Sequence, residues 1–132
     1  MSAVIAPLGR YPAWCRAGDF IFVSGMSARQ ADGTVAGARS LPGGVVAYDA
    51  EEQTRVVIGK IVDALGEAGA SLDDCVSVTA YLTDMAHFDA YNAVYGRSFN
   101  GRAARATVGV RQLPHPHMVV ELSVTAYKPE AA

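Results

Sequence analysis

The sequence predicts an α+β fold: one β-sheet with two helices packed on one face, in the order ββαβαββ. Three observations lead there. Two segments carry apolar residues at helical spacing. The runs around them alternate with the period of a strand. Helices placed between strands act as crossovers, and crossovers pack helices onto a sheet face.

At the N-terminal end, Tyr11 to Arg16 is a short strand candidate. Asp19 to Ser24 is aromatic and branched and follows a turn at Ala17-Gly18, so the two form a hairpin. The Gly/Pro-rich stretch from Ala31 to Gly44 reads as one long connection. Asp49, with Glu52 three residues on, makes a capping-box start for the first helix. Val57, Ile58, Ile61, Val62 and Leu65 then mark its buried face, and Gly69 stops it. Cys75 to Thr83 alternates, with Val76, Val78, Ala80 and Leu82 on one face. Asp84 caps the second helix, whose stripe Phe88, Tyr91, Tyr95 and Phe99 reads as core packing. His87, in its first turn, reads as a surface residue.

Two strands close the chain, Arg105 to Arg111 and Met118 to Ala126. Their even-numbered apolar residues, Ala106, Val108, Val110, Val120, Leu122 and Val124, are expected against the helices. The opposite face mixes Thr, Ser, Tyr, Gly and Val with a few charges. Such a face is too apolar for open solvent, which predicts a closed homo-oligomer.

Composition narrows the function classes. The 132 residues suit one domain, spanning 1–132. Hydrophobic residues at 51% and charged residues at 18% exclude a disordered chain. A net charge of −2 without a basic stripe argues against nucleic acid as a partner. Cys15 and Cys75 are far apart and read as two buried thiols in a reducing compartment. The sequence shows neither a secretory signal pattern nor an apolar run of membrane-spanning length, so the expectation is a cytoplasmic protein that engages no membrane. There is no G-x-G-x-x-G or P-loop pattern, and no cofactor is expected.

Strand parity places Arg105 and Glu121 on the same face, away from the helices. Glu121 sits among Val119, Val120 and Leu122, so its charge needs a partner or a task. An arginine can hold a carboxylate through two parallel hydrogen bonds. A partly desolvated glutamate can move a proton or activate water. Periodicity alone favours a structural ion pair at a subunit interface over this catalytic pairing. Ser24-Gly25 is no nucleophile elbow, but the glycine permits close approach of a ligand to the backbone. His115-Pro116-His117 is a rigid turn whose histidines suit contact with a substrate carboxylate better than metal binding, and no metal is expected.

These residues resemble the RidA/YjgF family of reactive-intermediate deaminases over nearly the whole chain. The resemblance is carried by Gly9-Arg10-Tyr11, Phe22-Val23-Ser24-Gly25 and the helix bearing Asp84, Phe88, Tyr91, Asn92 and Tyr95. It continues in Ala104-Arg105-Ala106-Thr107-Val108, Leu113-Pro114 and Glu121. It implies a chorismate-mutase-like homotrimer with clefts between subunits. It also implies cofactor-free hydrolysis of enamines or imines to ketones and ammonia. By the same resemblance Arg105 holds the substrate carboxylate and Glu121 orients or activates water, while Tyr11, Ser24, Gly25, Asn92 and Thr107 line the pocket.

Two departures stand out: Ala103 where the family usually has proline, and a turn from Gln112 to His117 that is one residue longer. That turn, with Gln53-Thr54-Arg55, resembles the 2-aminomuconate deaminase branch. Its substrate is a dicarboxylate, so the far carboxylate needs donors of its own. His115 and His117 are the first candidates, then Arg29 and Arg10. The alternatives are a generalist aminoacrylate-type deaminase, a non-catalytic binder of small carboxylates, and an endoribonuclease, which the acidic balance disfavours.

Overall fold

The computed structural model describes residues 5–131; residues 1–4 and 132 of the expected domain lie outside them. Strands β1 (Trp14–Ala17) and β2 (Phe20–Ser27) form the expected hairpin, turning at Gly18 with φ of +59°. The connection that follows is more ordered than its composition suggests. Arg29 bridges to Val35, and β3 (Ala38–Ser40) pairs with β4 (Val46–Tyr48) as a separate two-stranded ribbon. Three-residue strands are too short for alternation to register in a sequence.

Helix α1 (Ala50–Glu67) starts at the expected cap, with the Asp49 side chain accepting from the Glu52 amide at 3.0 Å, but the Asp49 amide donates to the Gly37 carbonyl at 2.8 Å, so only half of the capping box forms. Asp84 caps a 3-10 turn, Met85–His87, and helix α2 (Phe88–Ser98) begins only after it. Strands β5 (Cys75–Leu82), β6 (Ala104–Gly109) and β7 (Val120–Tyr127) complete a five-stranded sheet in the order β1-β2-β7-β5-β6. β6 runs parallel to β5 and forms one edge; the other neighbours are antiparallel. The core lies between the sheet and the helices, where Ile21, Val78, Leu82, Val120 and Leu122 meet Val57, Ile61 and Leu65. No helix among the described residues is long and apolar enough to cross a membrane.

The face assignment holds for β7 and for β5 from Val78 to Leu82, fails at Val76, where an irregularity between Cys75 and Ser77 buries Cys75 instead, and is reversed for β6. Arg105, Thr107 and Gly109 stand beside Val78, Ala80 and Leu82, all buried under the helices. Neighbours in register share a face. Arg105 and Thr107 therefore point to the helix side, and Ala106 and Val108 to the open side. The physical reason is position. β6 is the edge strand, so its helix-side residues lie at the rim of the core, where polar ends fit.

The open face carries the exposed aromatics Phe20, Phe22 and Tyr127, with the Phe20 ring 5.3 Å from that of Tyr127. Cys75 is buried as expected, whereas Cys15 is exposed, because it falls on the outward side of β1.

Candidate functional site

Arg105 is held by α2. Phe88, Tyr91 and Tyr95 recur at three- and four-residue spacing and so share one helix face. Their ring centroids lie 6.0, 5.4 and 4.5 Å from the guanidinium carbon. This is a cation–π cradle, which orients the fork and leaves its donors available. Arg105 donates one hydrogen bond to Asn92 Oδ1 at 2.8 Å. Thr107 meets the Tyr91 hydroxyl at 2.9 Å, which fixes the ring beneath the arginine. No carboxylate pairs with Arg105 among the described residues. Burial pushes the Tyr95 hydroxyl up, with the positive charge of Arg105 opposing it. The aromatic stripe is thus both packing and cradle, a role its spacing alone did not disclose.

Glu121 belongs to a different place. A β-bulge between Val23 and Met26 frees Ser24 and Gly25 from the regular ladder. The Glu121 carboxylate occupies the space this opens: a Cβ at Gly25 would lie 2.7 Å from its Oε2. Ser24 donates from Oγ to the Pro12 carbonyl at 2.7 Å, and its amide donates to Ala13 at 2.9 Å. The serine thereby ties the segment bearing Tyr11 to the free edge of β2. Tyr11, Ser24, Gly25 and Glu121 line one groove of about 970 Å³. Glu121 has no cationic partner among the described residues, and burial pushes its carboxyl above the ordinary range.

The two charges do not meet within one chain. They lie on opposite faces with β5 between their strands, at the levels of Val78 and Tyr81. At about 3.3 Å per residue and about 4.8 Å per strand, their backbones are roughly 14 Å apart. The expectation of a shared face is overturned, and with it an ion pair inside the subunit.

His115 and His117 form a third group: their neighbours Pro114 and Met118 line the groove, but the histidines do not. Their rings lie 5.0 Å apart, and His117 and His87 flank the Tyr48 ring at 6.4 and 6.2 Å. His115 Nδ1 accepts from the His117 amide at 3.0 Å, which leaves Nε2 as its remaining ring nitrogen. The buried Gln53 fastens this turn. It donates to the His117 carbonyl at 2.8 Å and accepts from the Val119 amide at 3.0 Å. His87, expected as a plain surface residue, is half-buried in this cluster. Gln53 and Lys60 were both missed as site-shaping residues. The signal was available: each is a polar residue within the apolar stripe of α1.

Fold and sites together define a sheet-and-two-helix protein with an arginine on one rim that has no carboxylate partner among the described residues and a half-buried glutamate in a groove on the other. The sequence pattern of the endoribonuclease L-PSP family matches residues 1–128. A RutC family protein of Pyrococcus abyssi is 38% identical over 123 residues, 92% of this chain and 89% of that protein. The mitochondrial protein Mmf1 of Saccharomyces cerevisiae is 30% identical over 117 residues, 86% of this chain and 74% of its own. The crystal structure of yeast Mmf1 superposes with a TM-score of 0.79 at 29% identity, covering 96% of this chain and 93% of that one. That of RidA from an Antarctic Psychrobacter gives 0.75 at 27% identity, covering 93% and 92%. The chain belongs to the RidA/YjgF/RutC family, and its α+β fold is that family's.

Proposed function

We propose that this protein is a cytoplasmic, cofactor-free deaminase that hydrolyses a small carboxylated enamine or imine at clefts between the subunits of a homotrimer. The observation that carries this reading is the Arg105 guanidinium, oriented by Asn92 and three aromatic rings yet lacking any carboxylate partner among the described residues. An arginine so prepared suits an incoming carboxylate. Glu121 supplies a raised, unpaired carboxyl suited to proton transfer. Since one chain keeps them far apart, the reading requires Arg105, Asn92 and Thr107 of one subunit to face Tyr11, Ser24, Gly25 and Glu121 of the next. The exposed aromatics of the open face support such assembly.

The substrate enters as the imine tautomer. Arg105 fixes the carboxylate beside the C=N carbon and draws electron density from it. Glu121 accepts a proton from water as the oxygen bonds to that carbon. The carboxyl passes that proton to nitrogen, giving a carbinolamine; Glu121 then carries the hydroxyl proton to nitrogen as the C–O double bond forms and the C–N bond breaks, and ketone and ammonia leave. Within this class the substrate is 2-aminomuconate, giving 4-oxalocrotonate and ammonia.

The test is direct assay of ammonia release from 2-aminomuconate and from 2-iminopropanoate. Arg105→Ala is expected to abolish turnover in a protein that still folds and assembles. Near-normal rates in that variant would remove the anchoring role.

A further inference from the structure

The groove that holds Glu121 continues past Gly25 and Ser27 to two cations, Arg29 and Lys60. Lys60 reaches from α1 to the free edge of β2, where its ammonium donates to the carbonyls of Ser27 at 2.7 Å and Arg29. Among the described residues, one of its three N–H bonds finds no acceptor. Arg29 donates to the Ala6 carbonyl and keeps further donors on its fork. All these acceptors are neutral. Neither cation has a carboxylate partner among the described residues. Two of the carboxylates lining the same groove are turned to other work: Asp32 accepts from the Thr34 amide and hydroxyl, and Glu67 from the Trp14 indole.

Two like charges side by side in a half-buried place repel and lose hydration. Burial first, and then Arg29, push the Lys60 ammonium down to about 8. Such a pair is best relieved by a bound anion, and the planar arginine fork favours a carboxylate. The position also fits a substrate's far end. Ser27 is the register partner of Glu121, and Lys60 sits on the Ser27 carbonyl. The ammonium thus lies roughly one strand spacing, about 4.8 Å, plus one hydrogen bond across the sheet from the Glu121 backbone.

We propose that Arg29 and Lys60 bind a second carboxylate at the remote end of the ligand, making the groove selective for dicarboxylates. The pair takes the task expected of His115 and His117, which lie with Tyr48 outside the groove. This inference rests on the deaminase reading for the placement of the reacting carbon, but it is tested by binding alone.

The experiment is calorimetric titration of the full chain with 2-oxohexanedioate and 2-oxohexanoate, acids of equal length that differ only at the far end. The dicarboxylate is expected to bind at least tenfold more tightly at pH 7. Arg29→Gln and Lys60→Gln should each cut that preference below threefold, with thermal melts reporting that both fold. Arg29→Gln guards against a structural role of Lys60 at the edge of β2. Equal affinity for the two acids, or a preference that survives Arg29→Gln, overturns the proposal. A protein that binds as expected yet hydrolyses no imine would sink the deaminase reading and leave this site standing.

Discussion

The Glu121 carboxylate fills the space where a side chain at residue 25 would stand, with Oε2 only 2.7 Å from the Cβ position of Gly25. No unstrained packing accommodates both. Gly25→Ala should therefore push the carboxyl out of the groove and lower kcat on an imine substrate by roughly 10²-fold or more, by the usual worth of a positioned acid or base. The melting temperature should change little, because the methyl displaces a flexible side chain. An alanine variant of full activity would disconnect this contact from catalysis.

Glu121→Gln keeps the shape and removes the charge. Turnover should fall by about 10² to 10⁴. Stability carries a second signature. Burial raises the carboxyl above its unfolded value of 4.5, so the folded protein holds the proton more readily. Stability from this group is full below that value and is lost as pH rises through the folded one. The amide variant should gain melting temperature relative to the parent at pH 7 and show no such gain at pH 4. Calorimetric scans at both values check the sign.

Arg105→Lys preserves the charge and loses both the fork and the stacking on Tyr91 and Tyr95. The expected result is a KM at least tenfold higher with the fold intact. Equal KM values would show that only the charge matters.

Gln53 is fully buried and satisfies one carbonyl and one amide of the turn before β7. Gln53→Ala strands both groups. At about 1–3 kcal/mol for a buried polar group left unpaired, the loss should reach about 3 kcal/mol or more. Urea denaturation measures it, and a loss below 1 kcal/mol would mean that water replaces the amide.

Phe22 is exposed on the open face, near Phe20 and Tyr127. On the proposed assembly, the parent should sediment as a trimer and Phe22→Glu as a monomer in analytical ultracentrifugation, with turnover abolished in the variant. A monomer that stays active would refute a site shared between subunits.

Much of the scaffold was legible in the sequence. Asp49 and Glu52 marked the start of α1, and alternation in β5 and β7 identified their buried faces. These signals are local, and in each case one face is buried enough for polarity to declare it. The candidate residues were picked out one by one from the sequence, although alternation alone left Arg105 and Glu121 open to a structural ion-pair reading. The short β3 and β4 gave no alternation to read.

Which residues come together in space was decided by the tertiary structure. Alternation says that Arg105 and Ala106 point to opposite sides; it does not say which side the helices cover. In edge strand β6, small residues at Ala104, Ala106 and Gly109 leave that choice open, and only the register with β5 resolves it. Neither the bulge that seats Glu121 against Gly25 nor the meeting of Arg29 with Lys60 joins near neighbours in sequence. The chain carries its reactive groups in its composition and spacing. The separation of Arg105 from Glu121 is a property of strand order, which depends on long-range pairing that no local pattern encodes.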